Sequence, residues 1–119
     1  MPKQTQPSIP SGFSRAICTR DFLLRSDPIS KPLRVEIGEP LQDVVTVDGM
    51  DWRCPVRIIV AGNETIYSCF GVDSLQSVLV AIGCIRSQLE NIAEQHPGDL
   101  LFLQHEVDTK SPGWSENIF

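Results

Sequence analysis

The segment Trp52-Arg53-Cys54-Pro55-Val56-Arg57-Ile58-Ile59-Val60 puts Trp52, Cys54, Val56, Ile58 and Val60 on even positions, with Arg53, Pro55 and Arg57 between them. A period of two sends alternate side chains to opposite faces, so this stretch is a strand with one apolar and one wet face. From Gly71 the period changes. Leu75, Val78, Leu79, Ile82, Ile85, Leu89 and Ile92 recur at steps of three and four, which places them on one stripe of a helix. A clear strand and, further along, a clear helix decide for an α+β fold.

The helix is expected over about 73–95. Asp73 is a suitable N-cap, able to accept from the amide of Gln76, whose side chain can reach back in a capping-box arrangement. His96-Pro97-Gly98 ends it, since proline disfavours helical geometry at the preceding residue. Leu79 and Ile82 are expected on the sheet-facing stripe. Between Ser74 and Ile85 no residue is charged, and the opposite side carries Ser77, Val80, Ala81, Gly83 and Cys84. That side needs a cover, either the Leu100-Leu101-Phe102-Leu103 segment folded over it or a second chain, and the internal cover is the expectation.

Upstream, Ala16 to Arg25 is a first strand, ended by Ser26-Asp27-Pro28. Leu33, Val35 and Ile37 alternate with Arg34, Glu36 and Gly38 in a second, stopped by Pro40. Val44, Val45 and Val47 extend it or form a short strand before Asp48-Gly49, a pair that tight hairpin turns prefer. Pro55 lacks an amide donor, so its side of the central strand is expected to be an edge or a bulge. Ala61-Gly62-Asn63-Glu64 turns the chain into a last strand, Thr65 to Phe70. The expected architecture is a largely antiparallel sheet of four or five strands with one long helix packed on one face.

The chain has 119 residues, of which 41% are hydrophobic and 21% charged, enough for one compact domain. The expected division is a loose N-terminal tail over 1–14, the domain over 15–105, and a C-terminal segment over 106–119 in which Trp114, Ile118 and Phe119 are candidate anchors. The tail is not patterned as a secretory signal. The longest apolar run, Val78 to Ile85, is far shorter than the roughly 18–20 residues of a membrane helix. A cytoplasmic, soluble protein is the expectation.

The formal net charge is −5, which disfavours a nucleic-acid or anionic-membrane binder. Its distribution is uneven: residues 1–34 hold six basic and two acidic side chains, and residues 35–119 hold four basic and thirteen acidic. Glu36, Glu39, Asp43, Asp48 and Asp51 crowd a short region without the ligand spacing of a calcium loop. Asp43, Asp48 and Asp51 are therefore the candidate residues for binding a basic protein partner.

Cys18, Cys54, Cys69 and Cys84 form no Cys-x-x-Cys pair and read as reduced, buried core residues. Neither His96 nor His105 has a ligand or nucleophile partner at a recognisable spacing, and no phosphate loop, nucleophile elbow or zinc motif is present. No metal, cofactor or catalytic residue is expected.

Trp52-Arg53-Cys54-Pro55-Val56-Arg57-Ile58, followed by Gly71-Val72-Asp73-Ser74-Leu75-Gln76 and an Ala81-Ile82-Gly83 helix body, resembles a family of small bacterial proteins, a domain of unknown function, over about residues 18–95. The resemblance implies a bacterial origin and an α+β fold and carries no activity; Arg57 and Gln76 are the polar positions its pattern keeps. The expected function is a cytosolic protein-binding module of the immunity or toxin-neutralising type, monomeric or paired through the helix. Two other readings remain: a small acidic secretion or folding chaperone, and an enzyme using His96 or His105 as base.

Overall fold

In a computed structural model that describes residues 10–118, the chain runs β1 (Ala16–Leu24), β2 (Lys31–Gly38), β3 (Leu41–Thr46), β4 (Gly49–Val60), β5 (Asn63–Gly71), α1 (Ser74–Gln95), β6 (Leu100–Phe102), β7 (His105–Glu106) and α2 (Trp114–Ile118). The strands form one antiparallel sheet of seven, more than the four or five expected. The additions have two sources. Pro40 separates β3 from β2 as an independent strand, and the segment after α1 adds a short hairpin, β6–β7, to the free edge of β1.

β4 is the spine. Along one edge it pairs with β5 from Trp52 to Val60. Along the other it pairs with β3 up to Arg53 and with β2 from Val56 onward. The ladder on that second edge therefore has a gap at Cys54 and Pro55, where the proline's missing donor costs no strand pairing. The turn Ala61-Gly62 closes β4 onto β5 with both residues at positive φ, 49° and 86°, as a two-residue hairpin demands.

α1 lies over β4 and β5. Asp73 caps it as expected, its Oδ1 accepting from the Gln76 amide at 2.7 Å; the Gln76 Oε1 reaches one residue further back and accepts from the Val72 amide at 2.7 Å. The buried face differs from the expected stripe. Ser77, Ala81, Ile85 and Leu89 are buried, whereas Leu75 and Leu79 are 66% and 59% exposed and Ile82 is half-buried. The reason is closeness of approach. A Cβ on Gly71 would stand 2.5 Å from the Ser77 amide nitrogen, so the end of β5 and the first turn of α1 touch backbone to backbone. Only small side chains fit under such a contact, and the leucines rotate outward.

The Leu100–Leu103 segment does not cover the helix. Leu100 and Leu101 pair with Leu24 and Leu23 in the sheet, and Leu100 is 1% exposed in the core. Trp114 does anchor the C-terminal segment: it is 9% exposed, and its Nε1 donates to Glu90 Oε1 at 3.1 Å. The side chain of Ile118 and the whole of Phe119 lie outside the described residues, as does the tail up to residue 9. Residues 12–14, assigned to the tail on sequence, pack on the sheet face remote from α1: the Gly12 carbonyl accepts from Arg53 Nη1 at 2.8 Å, the Phe13 ring lies 4.1 Å from the Arg57 guanidinium carbon, and Ser14 Oγ donates to the Glu39 carbonyl at 2.9 Å.

Candidate functional site

The acidic trio does not act as one patch. Asp43 on β3 is held by Arg53 on β4 in a two-pronged pair, Nε to Oδ1 at 3.2 Å and Nη2 to Oδ2 at 2.9 Å. Its charge is spent on a guanidinium that is 4% exposed. Asp48 sits in the β3–β4 turn and Asp51 in β4 opposite Val44; among the described residues neither has an ion-pair partner. Two carboxylates of the three remain to meet a partner.

The rest of the outer sheet face is likewise occupied with itself. Asp21 and Arg34, Cα partners in the β1–β2 register, pair at 2.7 Å; this holds the Asp21 carboxyl below its ordinary range and raises Arg34. Arg57 bridges Glu36 at 2.6 Å and Glu64 at 3.6 Å. Arg15 stands 3.7 Å from Glu39. The Arg57 of the sequence pattern thus joins three strands, and Gln76 closes the helix cap; both serve the fold.

The inner face offers two further features. Because α1 covers β4 and β5, the inner side of β1 and β2 is left with a cleft, lined by Cys18, Arg20, Val35, Ile37, Ile82 and Ile85 in two adjoining parts of about 140 and 210 Å³. Its guanidinium, Arg20, is stacked 4.5 Å over the Phe102 ring. Apolar walls and one cation make a surface for holding a group rather than for moving protons. The hollow between the end of α1 and residues 106–110 is lined by Glu94, Gly98, Glu106, Asp108 and Lys110 among others, and neither candidate base, His96 or His105, is in its wall. Both histidines are exposed.

The four thiols were expected in the core, and the structure buries Cys54 and Cys69, half-buries Cys84 and leaves Cys18 exposed; the meeting of three of them was not legible in the sequence. All four are free. Cys54 and Cys69 are Cα partners across β4 and β5, 0% and 4% exposed, and Cys84 of α1 packs on the same core. Only the pairing of Cys54 with Cys69 had a signal there, since the two are equidistant from the Ala61-Gly62 turn. Burial, then the Cys18 thiolate's repulsion, pushes the Cys54 thiol up to about 11, against an opposing pull from Arg53. A hydrogen bond from Cys69 brings Cys84 down to about 7, and the same bond, with burial, raises Cys69. Among the described residues no three His, Cys, Asp or Glu side chains converge as a metal-binding group, and no helix is long and apolar enough to cross a membrane.

Residues 18–112 match the domain of unknown function DUF6968, and the chain belongs to that family. Neither a curated protein nor a solved structure matches it.

Proposed function

We propose that the protein works by binding another protein, with the outward side of α1 as the contact surface. One observation carries this reading: the first two turns of α1 present Leu75, Leu79 and Val80, with Val72 just before them, at 66%, 59%, 44% and 70% exposure, uncharged and uncovered by any described residue. Large apolar side chains grouped on one helix side are costly to leave in water, and a partner's apolar ridge relieves that cost. The partner is basic at its margin, to suit the net −5 and the carboxylates of Asp48 and Asp51. A module of the immunity or toxin-neutralising type fits these properties. The resemblance at residues 52–76 supports a bacterial origin, and four free thiols support a reducing, cytoplasmic location.

A photo-crosslinking residue placed at Leu79, and at Glu64 on β5 as control, tests the proposal in the organism of origin. The expected product is one heterologous protein, joined from position 79 only, competed by unlabelled wild type and not by a folded Leu75→Glu/Leu79→Glu variant. Equal products from both positions would remove the reading. A product made only of two copies of this chain would replace it with a homodimer through the helix.

A further inference from the structure

α1 runs antiparallel along β5, and two contacts set its register. At one end Ser77 rests on Gly71; at the other, the Tyr67 hydroxyl donates to Gln88 Oε1 at 3.1 Å. Cys69 lies midway between Gly71 and Tyr67 on the strand, and Cys84 lies between Ser77 and Gln88 on the helix. Both are on the sides that face each other, with Cys69 in the core and Cys84 packed against it. We propose that Cys69 and Cys84 form an oxidisable dithiol site, closed to a disulfide by a peroxide.

The two thiols have different roles. Cys84 is half-buried and Cys69 is 4% exposed, so the oxidant meets Cys84 first. The Cys84 thiolate attacks one peroxide oxygen, the O–O bond breaks, and an alcohol or water leaves with a proton; Cys84 is now a sulfenic acid. The Cys69 sulfur then attacks the Cys84 sulfur, the S–O bond breaks, and the hydroxyl departs as water with the Cys69 proton. Two thiols and one peroxide give one disulfide, one water and one alcohol or second water. The lowered Cys84 thiol supplies the thiolate that the first step needs at neutral pH.

Cys54 is the competing partner for Cys69, and geometry disfavours it. Directly opposed strand residues hold their Cβ atoms about 4.5–5.5 Å apart, wider than the roughly 3.5–4.5 Å of a disulfide. A helix side chain descending on a strand side chain has no such fixed spacing. Cys18 is exposed on β1, so it is open to oxidation to a sulfenic acid or to pairing with a second copy.

The test treats the folded full-length protein with hydrogen peroxide, blocks remaining thiols in denaturant, and cleaves on the amino side of aspartate. Asp73 lies between Cys69 and Cys84, so the two cysteines leave on separate peptides unless bridged. The expected product is a linked pair carrying Cys69 and Cys84, about 2 Da below the sum of its parts. It falls to background in Cys84→Ser and persists in Cys54→Ser. In Cys69→Ser, a sulfenic-acid trap labels Cys84. Cys54 shares the 51–72 peptide with Cys69, so fragment-ion sequencing of the linked wild-type pair assigns the bridged cysteine without recourse to any variant. A bridge between Cys54 and Cys69, oxidation confined to Cys18, or sulfinic acid at Cys84 without any bridge would overturn the proposal.

Discussion

Arg53 and Asp43 face each other across the β3–β4 hairpin in a two-pronged ion pair, and the same guanidinium donates to the carbonyl of Gly12. One buried cation thereby fastens three chain segments. The arrangement makes Asp43 a structural residue, whatever its neighbours Asp48 and Asp51 do.

Removing that carboxylate's charge leaves Arg53 buried without its counter-ion. Asp43→Asn is expected to destabilise the protein by about 1–3 kcal/mol, below the full cost of breaking an ion pair in the deep interior because Asp43 is one-third exposed. Asp48→Asn and Asp51→Asn should stay within about 0.5 kcal/mol of wild type. Urea unfolding of the three variants checks this, and equal midpoints would show that the pair contributes nothing.

The rotated helix face has its own consequence. Leu89 is 0% exposed, so Leu89→Ala opens a cavity and should cost about 2–5 kcal/mol. Leu79→Ala, at 59% exposure, should cost less than about 1 kcal/mol. The reverse ranking in denaturant melts would mean the larger stripe faces the sheet after all.

Two glycines should respond in opposite directions to one methyl group. At Gly71 the new Cβ meets backbone atoms of α1, which cannot swing aside as a side chain would, so Gly71→Ala should destabilise by roughly 1–3 kcal/mol. At Gly83 nothing lies within 4 Å, and Gly83→Ala should add about 0.5–1 kcal/mol by lowering the cost of ordering the helix backbone. Thermal melts of the two variants should move apart from wild type on either side.

Alkali supplies a fourth test. Folding raises the Cys54 thiol from an ordinary value of 9.0 to about 11, so the folded state holds this proton more tightly than the unfolded chain. That contribution is complete below pH 9 and is lost as the pH climbs to 11, at about 1.4 kcal/mol per pH unit. Wild type should therefore lose about 2 kcal/mol more than Cys54→Ser between pH 9 and pH 11, the other thiols being common to both chains. Parallel stability curves would mean that Cys54 titrates alike in both states.

The parts of the fold that were legible in the sequence are those encoded within a few residues. The alternation at 52–60 marked β4 and its inward side, the Asp73 cap placed the start of α1, and His96-Pro97 placed its end. The candidate site was less legible. Leu75 and Leu79 belong to the helical period as clearly as Ile85 and Leu89, and size alone assigns all four inward. What separates them is the backbone contact between Gly71 and Ser77, which admits only small residues and belongs to no local pattern.

By itself, then, the sequence determined an α+β chain with an antiparallel sheet, one long capped helix and an apolar, uncharged half-helix in need of a cover. The tertiary structure alone decided which side of that helix stays bare, that Asp43 is held by Arg53, that residues 100–106 extend the sheet rather than close over the helix, and that three cysteines meet in the core. The reason is one of range. Periodicity and capping depend on dihedral angles and on neighbours one to four residues away. Spacing between elements and charge pairing across them depend on how closely non-adjacent backbones approach, which is set only when the whole core is packed.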